Sequence, residues 1–161
     1  MSNLKKLLQT LPQIGRLEWI GLRPAKKKEL QPVTMATISK SFGLEGDHFK
    51  SSRKKRSITI IQREHLDFVA QMMGVDKEEI PFLTRRNMVV SGINLLAFKD
   101  KQFQVGADVI LEYTDPCHPC SRMEENLGAG GLNAMRGHGG ICCKVIQGGE
   151  VNVGDEVRLI S

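Results

Sequence analysis

What most restricts this chain is the way its apolar residues are broken into short pieces. Met88–Val90 and Val109–Leu111 are representative runs, far below the ~18 consecutive apolar residues that cross a bilayer. Glycine, proline, asparagine or aspartate interrupts the pattern repeatedly, which predicts many short strands and few helices. The punctuation is densest over residues 115–149, where Pro116 and Pro119 are followed by Gly128, Gly130, Gly131, Gly137, Gly139, Gly140, Gly148 and Gly149. Such density means either backbone packed against a ligand or a succession of tight turns.

Periodicity places the elements. Leu4, Leu7, Leu8 and Leu11 follow the i, i+3, i+4, i+7 spacing of one helical face. This predicts an amphipathic helix over Asn3–Leu11, with Ser2 or Asn3 as N-cap and Pro12 as stop. Ile14–Leu22 and Val33–Ser39 read as strands around a loop from Pro24 to Pro32, and residues 42–48 (FGLEGDH) read as a turn. A strand at Ser57–Ile61 leads into a helix over Arg63–Met73, with Leu66, Val69, Ala70 and Met73 as its buried stripe and Gly74 as C-cap. Strands follow at Asn87–Val90 and Ala107–Tyr113, around a connection read over Gly92–Phe103. A short helix is expected at Ser121–Leu127, and strands at Ile141–Ile146 and Glu156–Ile160 are linked through the hairpin-like GGEVNVGD. The fold class is therefore mainly β with a few helices, a barrel or a sandwich. Neither a P-loop nor a GxGxxG after a strand is present, so nucleotide folds find no support.

At 161 residues the chain is one domain's worth. Its charge is divided: residues 1–60 hold 13 Lys/Arg and 4 Asp/Glu, whereas residues 61–161 hold 10 and 14. The basic surface is therefore expected in the first third, densest at Lys50–Arg56 (KSSRKKR), a run too polar for any core. It serves either as a solvated loop or as an anion contact. No signal-peptide cleavage site follows the first leucines, and the chain reads as cytoplasmic with no membrane contact. Aromatic residues make up 5% of the chain, so a nucleic-acid role has few stacking platforms and is disfavoured.

The residues that can do chemistry are few. All four cysteines, Cys117, Cys120, Cys142 and Cys143, lie in the last third, and in a reducing cytosol they are expected to be free. Cys120 sits at a predicted helix start beside Arg122, where the dipole and a guanidinium both favour a thiolate. A nucleophile or soft metal ligand is one reading, and an inert packed thiol the other. Cys117 and Cys120 form a C-x-x-C, but the second pair of a zinc site would have to come from His138, Cys142 and Cys143, whose spacing is poor. A thioredoxin-type site would need a βαβ context not seen around them. Arg85 and Arg86, before the strand that begins at Asn87, could form a forked anion clamp. His48, in GDHF, and Arg56, at the end of the basic run, complete the candidates.

Taken in order, LEGDHF, RRNMVVSG, VGADVILEYTDPCHPC, MRGHGGICCKV and GGEVNVGDEV resemble the MOSC domain, the domain that ends molybdenum-cofactor sulfurases. The resemblance runs from about Ile14 to the end of the chain, and is strongest to the small stand-alone bacterial MOSC proteins. It implies a MOSC-type β-barrel over residues 14–161, preceded by the helix within residues 1–13. It also implies a site for the molybdenum cofactor (molybdopterin). The cysteine that ligates molybdenum in the family's reductases matches Cys120. The family's arginine before the strand falls on Arg85 or Arg86, its asparagine on Asn87, and the contacts near its GD-x-H turn on Asp47 and His48. The pyridoxal-phosphate domain of the larger sulfurases is lacking, so pyridoxal phosphate is not expected.

Two activities follow from the resemblance. One is a molybdenum-dependent oxidoreductase that reduces N-hydroxylated small molecules with electrons from a separate redox protein. The other is a carrier of sulfur or finished cofactor for an accepting enzyme. A soft thiolate suits molybdenum bonded to sulfur, and cations at Arg85, Arg86 and the Lys50–Arg56 run, Arg56 included, suit an anionic phosphate.

Overall fold

The structure, a computed structural model, describes residues 2–25, 28–48 and 57–160. The basic run Lys50–Arg56, and with it the candidate Arg56, lies outside the described residues. The first element is α1 (Asn3–Gln9), capped by the Ser2 side chain, which accepts from Lys5 N at 3.2 Å. It ends two residues before the Leu11 expected, and none of its residues is buried.

The strands are β1 (Gly15–Leu22), β2 (Gln31–Val33), β3 (Met35–Ser39), β4 (Gly43–Leu44), β5 (Ile58–Gln62), β6 (Met88–Ser91), β7 (Gln102–Val105), β8 (Val109–Pro116), β9 (Ile141–Gln147), β10 (Gly149–Asn152) and β11 (Glu156–Leu159). Neighbouring strands run β11-β7-β8-β9-β5-β6-β1, and β11 pairs back onto β1, which closes a seven-stranded barrel. β2 extends from β1, while β10, β3 and β4 form a small separate sheet. Of the two candidate architectures, the barrel is the one adopted.

Period-2 alternation decides what each strand buries. Leu17, Ile20, Ile60, Met88, Phe103, Leu111, Cys143 and Val157 point into one cluster that fills the barrel. β5 is buried along its whole length, because its two faces serve two cores: Ile58 and Ile60 face the barrel, and Ile61 faces a second cluster with Val89. That outer cluster is supplied by α2 (Arg63–Met73), α4 (Ser121–Leu127) and α5 (Gly131–Met135) through Leu66, Val69, Met123, Leu127 and Met135.

β5 and β6 pair in parallel, and every other pairing among the described residues is antiparallel. A parallel pair needs a long crossover, here built from α2 and α3 (Ile80–Thr84). The cysteine motif lies elsewhere, between β8 and α4. α2 matches its expected bounds, with Leu66, Val69 and Ala70 buried and Gly74 left-handed at φ 65°. β7 starts at the end of the segment read as a connection, Gly92–Phe103, and runs two residues past it. It has only four residues, two of them glutamines facing outward, and acquires its strand character from pairing with β8 and β11. The strand expected over Val33–Ser39 is broken at Thr34, with its two parts in different sheets.

Candidate functional site

At one end of the barrel the end of β1, the turn after β4, the residues before β6, the end of β8 and the start of β9 come together. Asn87 is at the centre, with no exposed surface. Its Oδ1 accepts from Thr59 N at 3.1 Å, Thr59 Oγ1 at 3.2 Å and Arg23 Nη2 at 3.1 Å. Its Nδ2 donates to Gly21 O at 3.3 Å. One side chain thereby joins β1 and β5 to the start of β6 across sequence separations of 66 and 28 residues.

Arg23 is the next layer outward. It clasps Asp47 with its backbone N (2.6 Å to Oδ1), Nε (3.2 Å to Oδ1) and Nη2 (2.9 Å to Oδ2). A planar guanidinium meeting both carboxylate oxygens is the strongest geometry such a pair can adopt. The Asp47 carboxylate is fully buried. Arg23 O accepts from His48 N at 2.6 Å, and the His48 residue is exposed.

The two adjacent arginines diverge. Arg85 caps α3 in the left-handed region at φ 60°, and this kink turns Arg85 and Arg86 apart. Arg86 is buried and donates to three carbonyls: Nε to Gly139 O at 2.8 Å, Nη1 to Thr84 O at 2.9 Å and Nη2 to Cys117 O at 3.4 Å. Arg85 is half-buried, and its one hydrogen bond as donor from the side chain among the described residues is Nη1 to Lys28 O at 2.5 Å. Burial, then the nearby guanidinium of Arg122, then that of Arg23 pull the pKa of Arg85 below the ordinary arginine value, with Asp47 opposing. Three cations therefore share a neighbourhood with one carboxylate that Arg23 already occupies.

Arg122 and Cys120 are brought there by α4. Met123 and Leu127 bury the helix in the outer core, and Asn126 Nδ2 donates to Leu83 O on α3 at 2.9 Å. Cys120 is the N-cap, in extended conformation and exposed. Cys117 is half-buried, its N donating to Gly140 O at 2.8 Å. Cys142 and Cys143 are buried on β9, and burial, with a smaller contribution from Cys117, pushes the Cys143 thiol well above its usual pKa. Among the described residues no group of three or more His, Cys, Asp or Glu side chains is gathered as a metal site would require.

The glycine-rich segment resolves into two uses. A Cβ on Gly139 would lie 2.1 Å from Cys117 O, and one on Gly140, at φ 87°, 2.1 Å from Ile60 O. These two let the β8–α4 loop and the barrel wall close around Arg86. Gly128, Gly130 and Gly137 have positive φ with nothing within 4 Å, and serve as turns.

Arg23 and Thr59 escape sequence reasoning. Arg23 is a single arginine before a proline, and nothing local marks it as the partner of a carboxylate 24 residues on. Arg122 is visible only as a neighbour of Cys120, and its approach to Arg85 is a tertiary fact. His138 is a further residue of note: its Nδ1 is buried without a hydrogen-bond partner among the described residues, and its ring lies 4.8 Å from that of His65.

A family model described as the MOSC domain matches residues 44–158. No curated protein sequence matches significantly. The fold is similar to that of the YuaD protein from Bacillus subtilis, at 20% identity and TM-score 0.74, covering 93% of this chain and 98% of that one. It is also similar to YiiM from Escherichia coli (19% identity, TM-score 0.69, 91% of this chain, 70% of that one). YiiM from Geobacillus stearothermophilus is comparable, at 16% identity and TM-score 0.71, covering 91% of this chain and 75% of that one.

Proposed function

The chain belongs to the MOSC domain family, and from that premise we propose that it binds the molybdenum cofactor and reduces N-hydroxylated compounds, with Cys120 as the protein ligand to molybdenum. The family is generally linked to molybdenum-cofactor binding. What supports the reading is an exposed thiol at Cys120, two residues before an Arg122 whose guanidinium lies near enough to Arg85 to act on it, with Arg23, bound to Asp47, close to the same arginine.

That donor set suits a molybdopterin. A soft sulfur ligand matches a metal already bonded to dithiolene sulfurs, and guanidinium groups match a phosphate. Bound there, the cofactor would supply a two-electron redox centre. Cys120 would hold the metal, and Arg85 with Arg122 the phosphate. Arg85 is chosen over Arg86 because the latter spends its donors on Gly139, Thr84 and Cys117. Asn87, Arg23 and Asp47 act indirectly, by fixing the loop from which Arg85 projects. The exposed His48 stands beside Asp47 at the rim, available to substrate or cofactor. Arg56 is retained as a phosphate contact on its charge alone. The overall reaction, R–NHOH with two electrons and two protons to R–NH2 and water, needs an electron-donor protein. A reducing compartment, the cytoplasm, suits a site built on a free thiol. No helix among the described residues is long and apolar enough to cross a membrane.

The test is a reduction assay on cofactor-loaded protein with an N-hydroxylated base and a chemical electron donor. Cys120→Ala should abolish turnover while leaving thermal stability unchanged, because the side chain is exposed. Full activity in this variant would overturn the ligand assignment. The exposure of Cys120 on the rim also supports a second reading, a carrier of sulfur or finished cofactor for an accepting enzyme. Native mass spectrometry separates the two: an adduct of about 32 Da on the thiol indicates a persulfide, and bound pterin indicates the cofactor.

A further inference from the structure

We propose that this protein forms a closed dimer in which α1 of each copy lies in an apolar groove of the other. Two unpartnered apolar surfaces of one chain carry the inference. The first is α1 itself. Its leucine stripe is real, yet Leu4, Leu7 and Leu8 are 65%, 61% and 60% exposed. A seven-residue helix is too short to persist in water by propensity alone, so its stripe calls for a surface to cover it. Leu11, just beyond it, packs against the barrel core and anchors the helix to its own subunit.

The second surface is a groove of about 600 Å³ between β1–β2 and the small sheet, lined by Trp19, Pro32, Val33, Met35 and Val153. Met35 and Val153 are 50% and 41% exposed, so α1 of the same chain does not cover it. Large apolar side chains left open along a groove favour an amphipathic helix as occupant.

The charges identify that helix. Among the described residues the groove carries one ionisable group, Glu18 on its wall. On α1, Lys5 stands one turn from Leu8 and therefore beside the stripe. Neither Glu18 nor Lys5 has an ion-pair partner among the described residues. An apolar ridge flanked by a cation thus matches an apolar furrow flanked by an anion. Both surfaces belong to every copy, so a two-fold arrangement that seats each α1 in the other copy's groove covers all four and stops at two, whereas a one-way contact would leave one helix and one groove open and grow onward.

Sedimentation equilibrium of the full chain over a concentration series tests this. The expected mass at high concentration is that of two chains. Leu7→Ser with Leu8→Ser on the helix side, and Met35→Glu on the groove side, should each raise the dissociation constant at least about tenfold. Near-ultraviolet circular dichroism should stay unchanged, since these side chains are exposed in the monomer. Lys5→Glu and Glu18→Lys should each weaken the dimer by about threefold, and the two together should restore it. The charge pair keeps the test decisive should Met35→Glu fail to fold. A mass of one chain throughout overturns the proposal, as does one that grows past two. A dimer indifferent to the leucine variants, or a double reversal that does not recover, overturns it equally. If the wild type is monomeric and binds anionic phospholipid vesicles through the leucines, α1 belongs to lipid and the dimer is refuted.

Discussion

Removing the Asn87 side chain should damage the protein more than any other single truncation at the site. Asn87→Ala takes one acceptor from Thr59 N and one donor from Gly21 O, both buried, and each orphaned group costs about 1–3 kcal/mol. Arg23 Nη2 also loses an acceptor, but Arg23 is partly exposed and retains Asp47, so this adds little. The sum is about 2–6 kcal/mol, a large share of the 5–15 kcal/mol that typically holds a domain folded. For a chain of this size that corresponds to a fall in Tm of roughly 4–24 °C. Urea denaturation followed by circular dichroism measures it. Thr59→Val supplies the control: the Thr59 hydroxyl donates to Asn87 Oδ1 and accepts from Asn87 N at 3.0 Å. The two substitutions should therefore cost less together than the sum of the singles, by about 1 kcal/mol. A loss below about 1 kcal/mol in Asn87→Ala, or strict additivity in the pair, would refute the claim that this amide knits β1, β5 and β6 together.

Three further outcomes follow. Gly137→Ala and Gly140→Ala share a positive φ, but only the latter drives a Cβ into backbone. The first should cost about 1–2 kcal/mol from the left-handed conformation alone, and the second should prevent accumulation of folded protein, read as soluble yield and Tm. Burial, and after it His138, hold the pKa of His65 below its ordinary value, Glu64 opposing. The neutral ring is thus the one the fold accepts. Its contribution is complete above about pH 6.5 and is lost as the pH falls through the lowered folded-state value, so His65→Gln should flatten the acid limb of a stability–pH profile. Alkylation of the native protein should reach Cys120 first, while Cys143, buried and with a raised thiol pKa, should react only in denaturant; peptide mass mapping reads the order.

Local chemistry made much of this molecule legible. Amphipathic spacing predicts α2 to the residue, and Gly74 ends it because only a left-handed cap closes a helix there at no steric cost. Alternation predicts β1, β8 and β9, and the proline–glycine texture of residues 115–149 marks the segment that forms one wall of the site. Short pieces were less legible: α3, α5 and β7 have four or five residues each, too few for a period to repeat. They exist because neighbours pair with or bury them.

The residue types at the candidate site, a cysteine at a helix start, two arginines before a strand and an aspartate in a glycine turn, are written in the chain, and the proposed soft-metal and anion contacts rest on them. Which arginine is buried against backbone carbonyls, which carboxylate is spent and what approaches Arg85 are not. Those depend on a left-handed kink at Arg85, on Arg23 reaching Asp47, and on α4 docking through Asn126. Each is a contact between residues far apart in sequence, whose energy exists only once the barrel has closed and excluded water from the groups that meet.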